Sequence, residues 1–430
     1  MRLTPSRFSA LTPAGSFRRL AAILPSDPAV RALAASTLIR ATARGLFITL
    51  SVIFFTRSVG LSATEVGLGL TLAALAALFV NVPAGHVADL IGPRRVTFVT
   101  GLARAVVLLG YLLVHDFVGF LIVAVVVTTL EAASQTGNSA LIAGAVPRED
   151  QVRSRAILRA VTNVGWAFGA AAAGIALSID DRRAYVAMIW LCAVLTVLAS
   201  LLVLRVPAVP GRPHEGEGPR FIALRDRPYL TLTILNGLLC LHYGLINVVV
   251  PLWVVQNTSA PAWVVAAMLV LNATTVALLQ VRFSRGAEDI LTAARMQRTA
   301  SYLLLGACVL YALSAGPTAW VAVGVLLIGA IVHVAGEMLQ AAGSWSISVD
   351  LAPSHAQGQY QGLFGMGFGA SNMIAPALLT AVVLGLGQVG WLLVGLVFIA
   401  VGALTPVAVR WAQRSRPLVA DAQILPASSA

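Results

Sequence analysis

Among the ionisable residues inside the long apolar stretches of the chain, six stand out: Arg40, Arg44, Arg104, Glu131, His333 and Glu337. A charged side chain at hydrocarbon depth costs roughly 2.5–3.5 kcal/mol on the insertion scale unless it is paired or hydrated, so such residues mark pathways and relays. Two chemistries fit these types. A glutamate with a histidine one turn away can take up and release a proton, which makes Glu337 with His333 the favoured relay and Glu131 a second candidate. An arginine can hold an anion or fix a glutamate. Glu131 and Glu337 therefore also read as static ion-pair partners of Arg44 and Arg104, which would leave no buried charge unpaired. Arg40 has a further option, snorkelling towards the interface. Polar residues follow helical spacing around these groups. Glu131, Gln135 and Asn138 share one stripe, and His333, Glu337, Gln340 and Ser344 a second. Ser36, Arg40 and Arg44 form a third, and Asn236, Cys240, Tyr243 and Asn247 a fourth.

The elements that position these residues are membrane-spanning helices. The 430 residues are 58% hydrophobic and only 11% charged, more apolar surface than a soluble chain of this length can cover. Spans of about 20 apolar residues are expected near 32–56, 64–88, 95–114, 118–143, 156–178, 184–204, 230–256, 262–281, 299–315, 319–345, 359–384 and 388–410. The class is an all-α polytopic membrane protein of twelve transmembrane helices. A Pro- and Gly-rich break divides them six and six: residues 1–205 hold a tail and the first half, 206–228 a linker, and 229–430 the second half and a short tail.

The chain contains no lysine, so its 29 basic residues are all arginine. That excludes a Walker-type phosphate lysine and a Schiff-base lysine. The arginines alternate by loop. Arg2, Arg7, Arg18, Arg19 and Arg31, then Arg94 and Arg95, Arg148, Arg153 and Arg155, the linker set, Arg282 to Arg298, and Arg410 to Arg416 fall on one side. Arg57, Arg182 and Arg183 fall on the other. Both termini are therefore expected in the cytoplasm, facing anionic headgroups rather than nucleic acid. The first 28 residues read as a cytoplasmic tail rather than a signal peptide. Cys192, Cys240 and Cys308 sit in apolar runs and read as small hydrophobic filler. The halves repeat: Glu131, Gly137, Pro147 and Gln151 recur 206 residues later as Glu337, Gly343, Pro353 and Gln357. A duplicated six-helix unit is a transporter architecture.

The loop after the second span reads Gly85-His86-Val87-Ala88-Asp89-Leu90-Ile91-Gly92-Pro93-Arg94-Arg95. It resembles the major facilitator signature, with Gly85, Ala88, Asp89, Gly92, Arg94 and Arg95 fitting and Leu90 departing from the usual basic residue. Gly165, Gly169 and Gly174 resemble part of an antiporter motif, although Ala170 and Ala173 stand at its proline and a glycine. Pro251-Leu252-Trp253, Asn272 and the run from Gln280 to Arg285 are similar to bacterial, actinobacterial-type drug:proton antiporter-like members. The family's R-x-x-Q-G arginine has no counterpart near Ala124.

The resemblance implies a major facilitator fold with two pseudo-symmetric halves, whose helices one, four, seven and ten line a central cavity. Arg40, Arg44, Gln135, Asn138, Asn236, Tyr243, Asn247 and Gln340 then line the substrate path, and Arg104, on helix three, falls outside it. The signature residues Gly85, Asp89, Gly92, Arg94 and Arg95 become a conformational latch. The implied function is proton-coupled efflux of a small amphiphilic or drug-like molecule from a bacterial inner (plasma) membrane, by a monomer without cofactors. A metabolite or organic-anion transporter is the alternative. A membrane sensor or intramembrane enzyme is more remote: the chain has no H-E-x-x-H or G-x-S-x-G motif, no segment long enough for a soluble sensor domain, and no metal-site spacing.

Overall fold

The computed structural model describes residues 27–179, 181–211 and 221–415. Arg2, Arg7, Arg18, Arg19, Arg212, Arg220 and Arg416, with the linker prolines Pro213 and Pro219, lie outside the described residues. Twelve helices cross the molecule: α1 (Pro28–Phe54), α2 (Ala63–Ile91), α3 (Pro93–Leu109), α4 (Phe117–Ala145), α5 (Arg148–Ile179), α6 (Arg182–Val203), α7 (Arg227–Asn257), α8 (Trp263–Phe283), α9 (Ile290–Leu313), α10 (Ala319–Asp350), α11 (Gln357–Leu386) and α12 (Gln388–Arg414). Eleven are long and apolar enough to span a bilayer. The exception is α9, whose first turns carry Arg295, Gln297 and Arg298. Large side chains such as Phe79, Leu113, Leu278 and Trp320 point outward, as lipid-facing residues do.

Local chemistry sets the ends. Ser62 and Glu65 form a reciprocal capping box at the start of α2. Asp116, Asp226 and Asp289 cap α4, α7 and α9. Gly92 (φ +95°) makes the turn between α2 and α3, and Pro93 follows at the first helical position. Several helices begin well before their apolar runs. The polar segment from Arg148 to Arg155, expected as loop, forms the first two turns of α5, and α9 starts at Ile290 rather than near residue 299.

The seventh span is helical throughout, from Arg227 to Asn257, but it passes through a π-helical turn at Leu245–Val249. A π turn shifts the helical register, so Asn247 is displaced from the face it would share with Asn236, Cys240 and Tyr243 in a regular helix.

The two halves pack alike. The α3–α4, α3–α6 and α2–α4 contacts are matched by α9–α10, α9–α12 and α8–α10. Across the halves, α2 meets α11 and α5 meets α8, two pairings related by the same symmetry. The repeat is visible in single hydrogen bonds. Gln151 Nε2 donates to the carbonyls of Ala143 (2.8 Å) and Val146 (3.2 Å), closing the end of α4. Gln357 Nε2 does the same for Val349 (3.3 Å) and Ala352 (2.9 Å) at the end of α10. Arg155 donates to Gln361 Oε1 at 3.2 Å, and these two residues are themselves 206 apart. Equivalent positions touch where a pseudo-two-fold axis passes between them. The glycines of the antiporter-like stretch serve as a helix seam: a Cβ on Gly165 or Gly169 would collide with the α1 backbone around Leu38, Thr42 and Leu46.

Candidate functional site: two arginine–glutamate centres

The first centre lies within the N-terminal half. A cavity of about 90 Å³ is lined from five helices, with Arg40 and Arg44 from α1, Arg104 from α3, Glu131 and Gln135 from α4, Trp166 from α5 and Ser200 from α6. Glu131 pairs with Arg44 at 3.3 Å and with Arg104 at 3.4 Å. The static pairing expected for Glu131 is thus present. Arg104, expected outside the cavity, contributes to its wall. Three guanidinium groups face one carboxylate here. Arg104 is buried, and its Nε has no hydrogen-bond partner among the described residues. Arg44 also lies over the Trp166 ring, 5.8 Å from its centroid. Donors and positive charge are in excess, and acceptors are short.

The second centre lies where the halves meet. Glu337 of α10 is buried, and its Oε1 is gripped by the Arg159 guanidinium of α5. Its Oε2 accepts from Asn272 Nδ2 of α8 at 2.8 Å. Arg159 also donates to the Tyr243 hydroxyl at 2.8 Å, and its guanidinium carbon stands 5.3 Å from the Tyr243 ring centroid. Beside this cluster, Gln340 donates to Asn236 Oδ1 at 2.9 Å and to Cys240 Sγ at 3.4 Å. His333 faces His242, with ring nitrogens 3.3 Å apart.

The expected stripes therefore meet in pairs, α1 with α4 and α7 with α10, rather than as one four-helix set. Asn138 is buried, with its Oδ1 unpartnered among the described residues. Asn247 stands exposed and bonds back to its own helix at Tyr243 O, 2.8 Å away.

Arg159, Asn272 and His242 were not expected as site residues from the sequence. Arg159 sits one turn after Arg155, and that spacing marks a polar face once α5 is known to begin at Arg148. Asn272 is one of two amides, with Gln280, in an apolar helix, and the sequence marked it only through the family resemblance. His242 is brought to His333 by the packing of α7 against α10, which no spacing rule signals.

The signature loop joins the halves. Asp89 Oδ1 accepts from the backbone N–H of Gly358 at 2.6 Å and Oδ2 from that of Gln359 at 3.0 Å. A carboxylate at the N-terminus of α11 satisfies unpaired donors and meets the positive end of the helix dipole. The approach needs small residues: a Cβ on either Gly85 or Gly358 would strike the other's carbonyl oxygen. Gln359 also bonds the His86 ring at 3.0 Å. Arg94 serves its own half, donating to the carbonyls of Leu204 (3.3 Å) and Val206 (3.0 Å) at the end of α6. Arg95 is exposed.

Among the described residues, twelve helices in two related halves with charged groups between them make a polytopic membrane protein of a transporter architecture. The chain belongs to the Major Facilitator Superfamily, whose family model matches residues 33–376. A search of curated protein sequences finds no significant match. Among solved structures, a bacterial homologue of the iron transporter ferroportin in an outward-facing state superposes with a TM-score of 0.71 at 13% identity, covering 90% of this chain and 99% of that one. The human organic anion transporter MFSD10 (TETRAN) superposes with a TM-score of 0.62 at 15% identity, over the same shares of each chain. At these identities the likeness is one of fold.

Proposed function

We propose that this transporter carries a small organic anion, drawn from the amphiphilic or drug-like class, out of a bacterial cell in exchange for protons. The observation that carries the reading is the N-terminal cavity, where three arginines face a single glutamate. Unpaired cations at membrane depth are costly, and an anionic cargo would neutralise the surplus. A lipophilic cation would meet net repulsion there. The human neighbour's description as an organic anion transporter is compatible with this cargo.

Coupling is assigned to Glu337 and not to Glu131. The partners of Glu131 come from its own half, so rocking of the halves leaves that pair intact. Glu337 is held by Arg159 from the opposite half, so the same motion breaks its ion pair and frees the carboxylate to take a proton. The relevant membrane is the bacterial plasma membrane, with both termini cytoplasmic and a single chain as the working unit.

The test uses purified protein in liposomes loaded with a pH-sensitive dye under an imposed proton gradient, challenged with organic anions and lipophilic cations. Dissipation by anions, weakened in Arg44→Gln and uncoupled from protons in Glu337→Gln, is the expected result. Dissipation by cations alone would overturn the cargo assignment. Anion flux with no proton movement would make the protein a uniporter and Glu337 a structural partner.

A further inference from the structure

His242, His333 and Glu337 are all buried in the second centre. One ring nitrogen of each imidazole and a carboxylate oxygen of Glu337 lie within 4.8 Å of one another. His242 Nδ1 and His333 Nε2 stand 3.3 Å apart, beyond a good hydrogen bond. A tetrahedral ion with metal–nitrogen bonds of about 2.0–2.1 Å would set its ligand atoms about 3.3–3.4 Å apart. The spacing of the two rings is thus the edge of such a site.

As a plain packing arrangement the pair is poorly served. Two neutral imidazoles can share one N–H between them, which leaves a donor on one ring and an acceptor on the other. His242 Nε2 and His333 Nδ1 are indeed buried without partners among the described residues, and so is the Tyr311 hydroxyl, whose ring is 6.1 Å from His333. Leaving a buried polar group unsatisfied is costly. The site also lies next to the π-helical turn of α7 at Leu245–Val249, and π turns inside α-helices are frequent at functional sites.

We propose that His242, His333 and Glu337 form a binding site for a divalent first-row transition-metal ion, and that Arg159 occupies Glu337 as the competing cation when the metal is away. Two imidazole nitrogens and one carboxylate oxygen suit ions such as Zn²⁺ or Co²⁺, whereas Mg²⁺ and Ca²⁺ prefer all-oxygen sites. Asn272, on the far oxygen of Glu337, orients the carboxylate as supporting residues of metal sites do. Arg159 comes from α5 of the opposite half, so metal entry would exchange an inter-half ion pair for ligands confined to α7 and α10. The site is separate from the anion cavity and does not rest on the proposed cargo.

The experiment is a Co²⁺ titration of the full-length protein in detergent, read by visible absorption, with Zn²⁺ competition. The expected result is one equivalent of Co²⁺ with d–d bands of a low-coordinate nitrogen–oxygen site and no sulfur charge-transfer band. His333→Ala and His242→Ala lower affinity on the order of 100-fold, and Asn272→Ala about tenfold. Arg159→Gln raises it on the order of tenfold by removing an opposed unit charge. X-ray absorption of the Zn²⁺-loaded wild type reads the imidazole ligands directly, so the answer does not depend on a histidine variant folding. Absence of stoichiometric binding, binding unchanged in both histidine variants, or a zinc spectrum without imidazole would each overturn the site.

Discussion

Arg159 and Glu337 form the ion pair on which most of the chemistry turns. Glu337 is the more deeply buried partner, and its second oxygen depends on Asn272. Removing one member of a buried pair costs about 3–5 kcal/mol, because the other charge is stranded, whereas removing both is far milder. Arg159→Gln should therefore destabilise the protein strongly. Glu337→Gln should be gentler, since the amide oxygen still accepts from Arg159 and the arginine retains Tyr243. The double variant should be more stable than the sum of the single losses. Thermal unfolding in detergent, analysed as a double-mutant cycle, measures this, and strict additivity would show that the two side chains are not coupled. Glu337 was legible in the sequence because an acid in an apolar helix advertises itself. Its partner was not, because Arg159 stands at the start of its apolar run, just after arginines that resemble a loop. Arg44 and Arg104 offered closer candidates, and they proved to belong to Glu131.

At the scale of elements, apolar runs disclosed all twelve helices, since bilayer thickness dictates span length. They did not disclose where the polar ends of α5 and α9 begin, because a helix can extend beyond the apolar layer wherever caps and neighbours support it. Asp289 is such a cap. Its carboxylate accepts from the Thr292 hydroxyl and backbone N–H at 2.8 Å each, and those bonds, the hydroxyl's foremost, hold its pKa below the usual aspartate value. Asp289→Ala should cost about 1 kcal/mol, the ordinary worth of an N-cap. A depressed folded-state pKa means that this contribution is complete above the unfolded aspartate pKa of about 3.9 and fades as pH falls through the folded value. The variant's deficit in thermal stability should accordingly be constant from neutral to mildly acidic pH and shrink only near the acid limit. A deficit that already disappears at mildly acidic pH would mean that the cap does not carry it. The π turn in α7 belongs to the same scale, since no proline or glycine within Leu245–Val249 signals it.

For the molecule as a whole, the fold, the duplicated halves and the signature loop were all readable, because repeats and turn glycines leave marks in the chain itself. What a single sequence does not carry is which conformation the halves adopt. In this structure they are joined at the end that holds the α2–α3 and α10–α11 loops. The link runs from Asp89 to the first N–H groups of α11 and is continued by Arg155 with Gln361. Hydrogen bonds to a charged group contribute about 1.5–3 kcal/mol. Losing the charge on Asp89 while keeping its shape should thus shift the balance of open and closed forms at this end by roughly tenfold or more. Asp89→Asn is the variant. Arg95 on α3 and Arg295 on α9 are exposed at that end, one in each half, and all three native cysteines are buried. Spin labels on cysteines introduced at these two positions would report the separation of the halves. The expected distance distribution is single and short with Asp89 intact, and gains a longer component in Asp89→Asn. An unchanged distribution would mean that the α2–α11 packing closes this end without the carboxylate, and that Asp89 serves the turn alone.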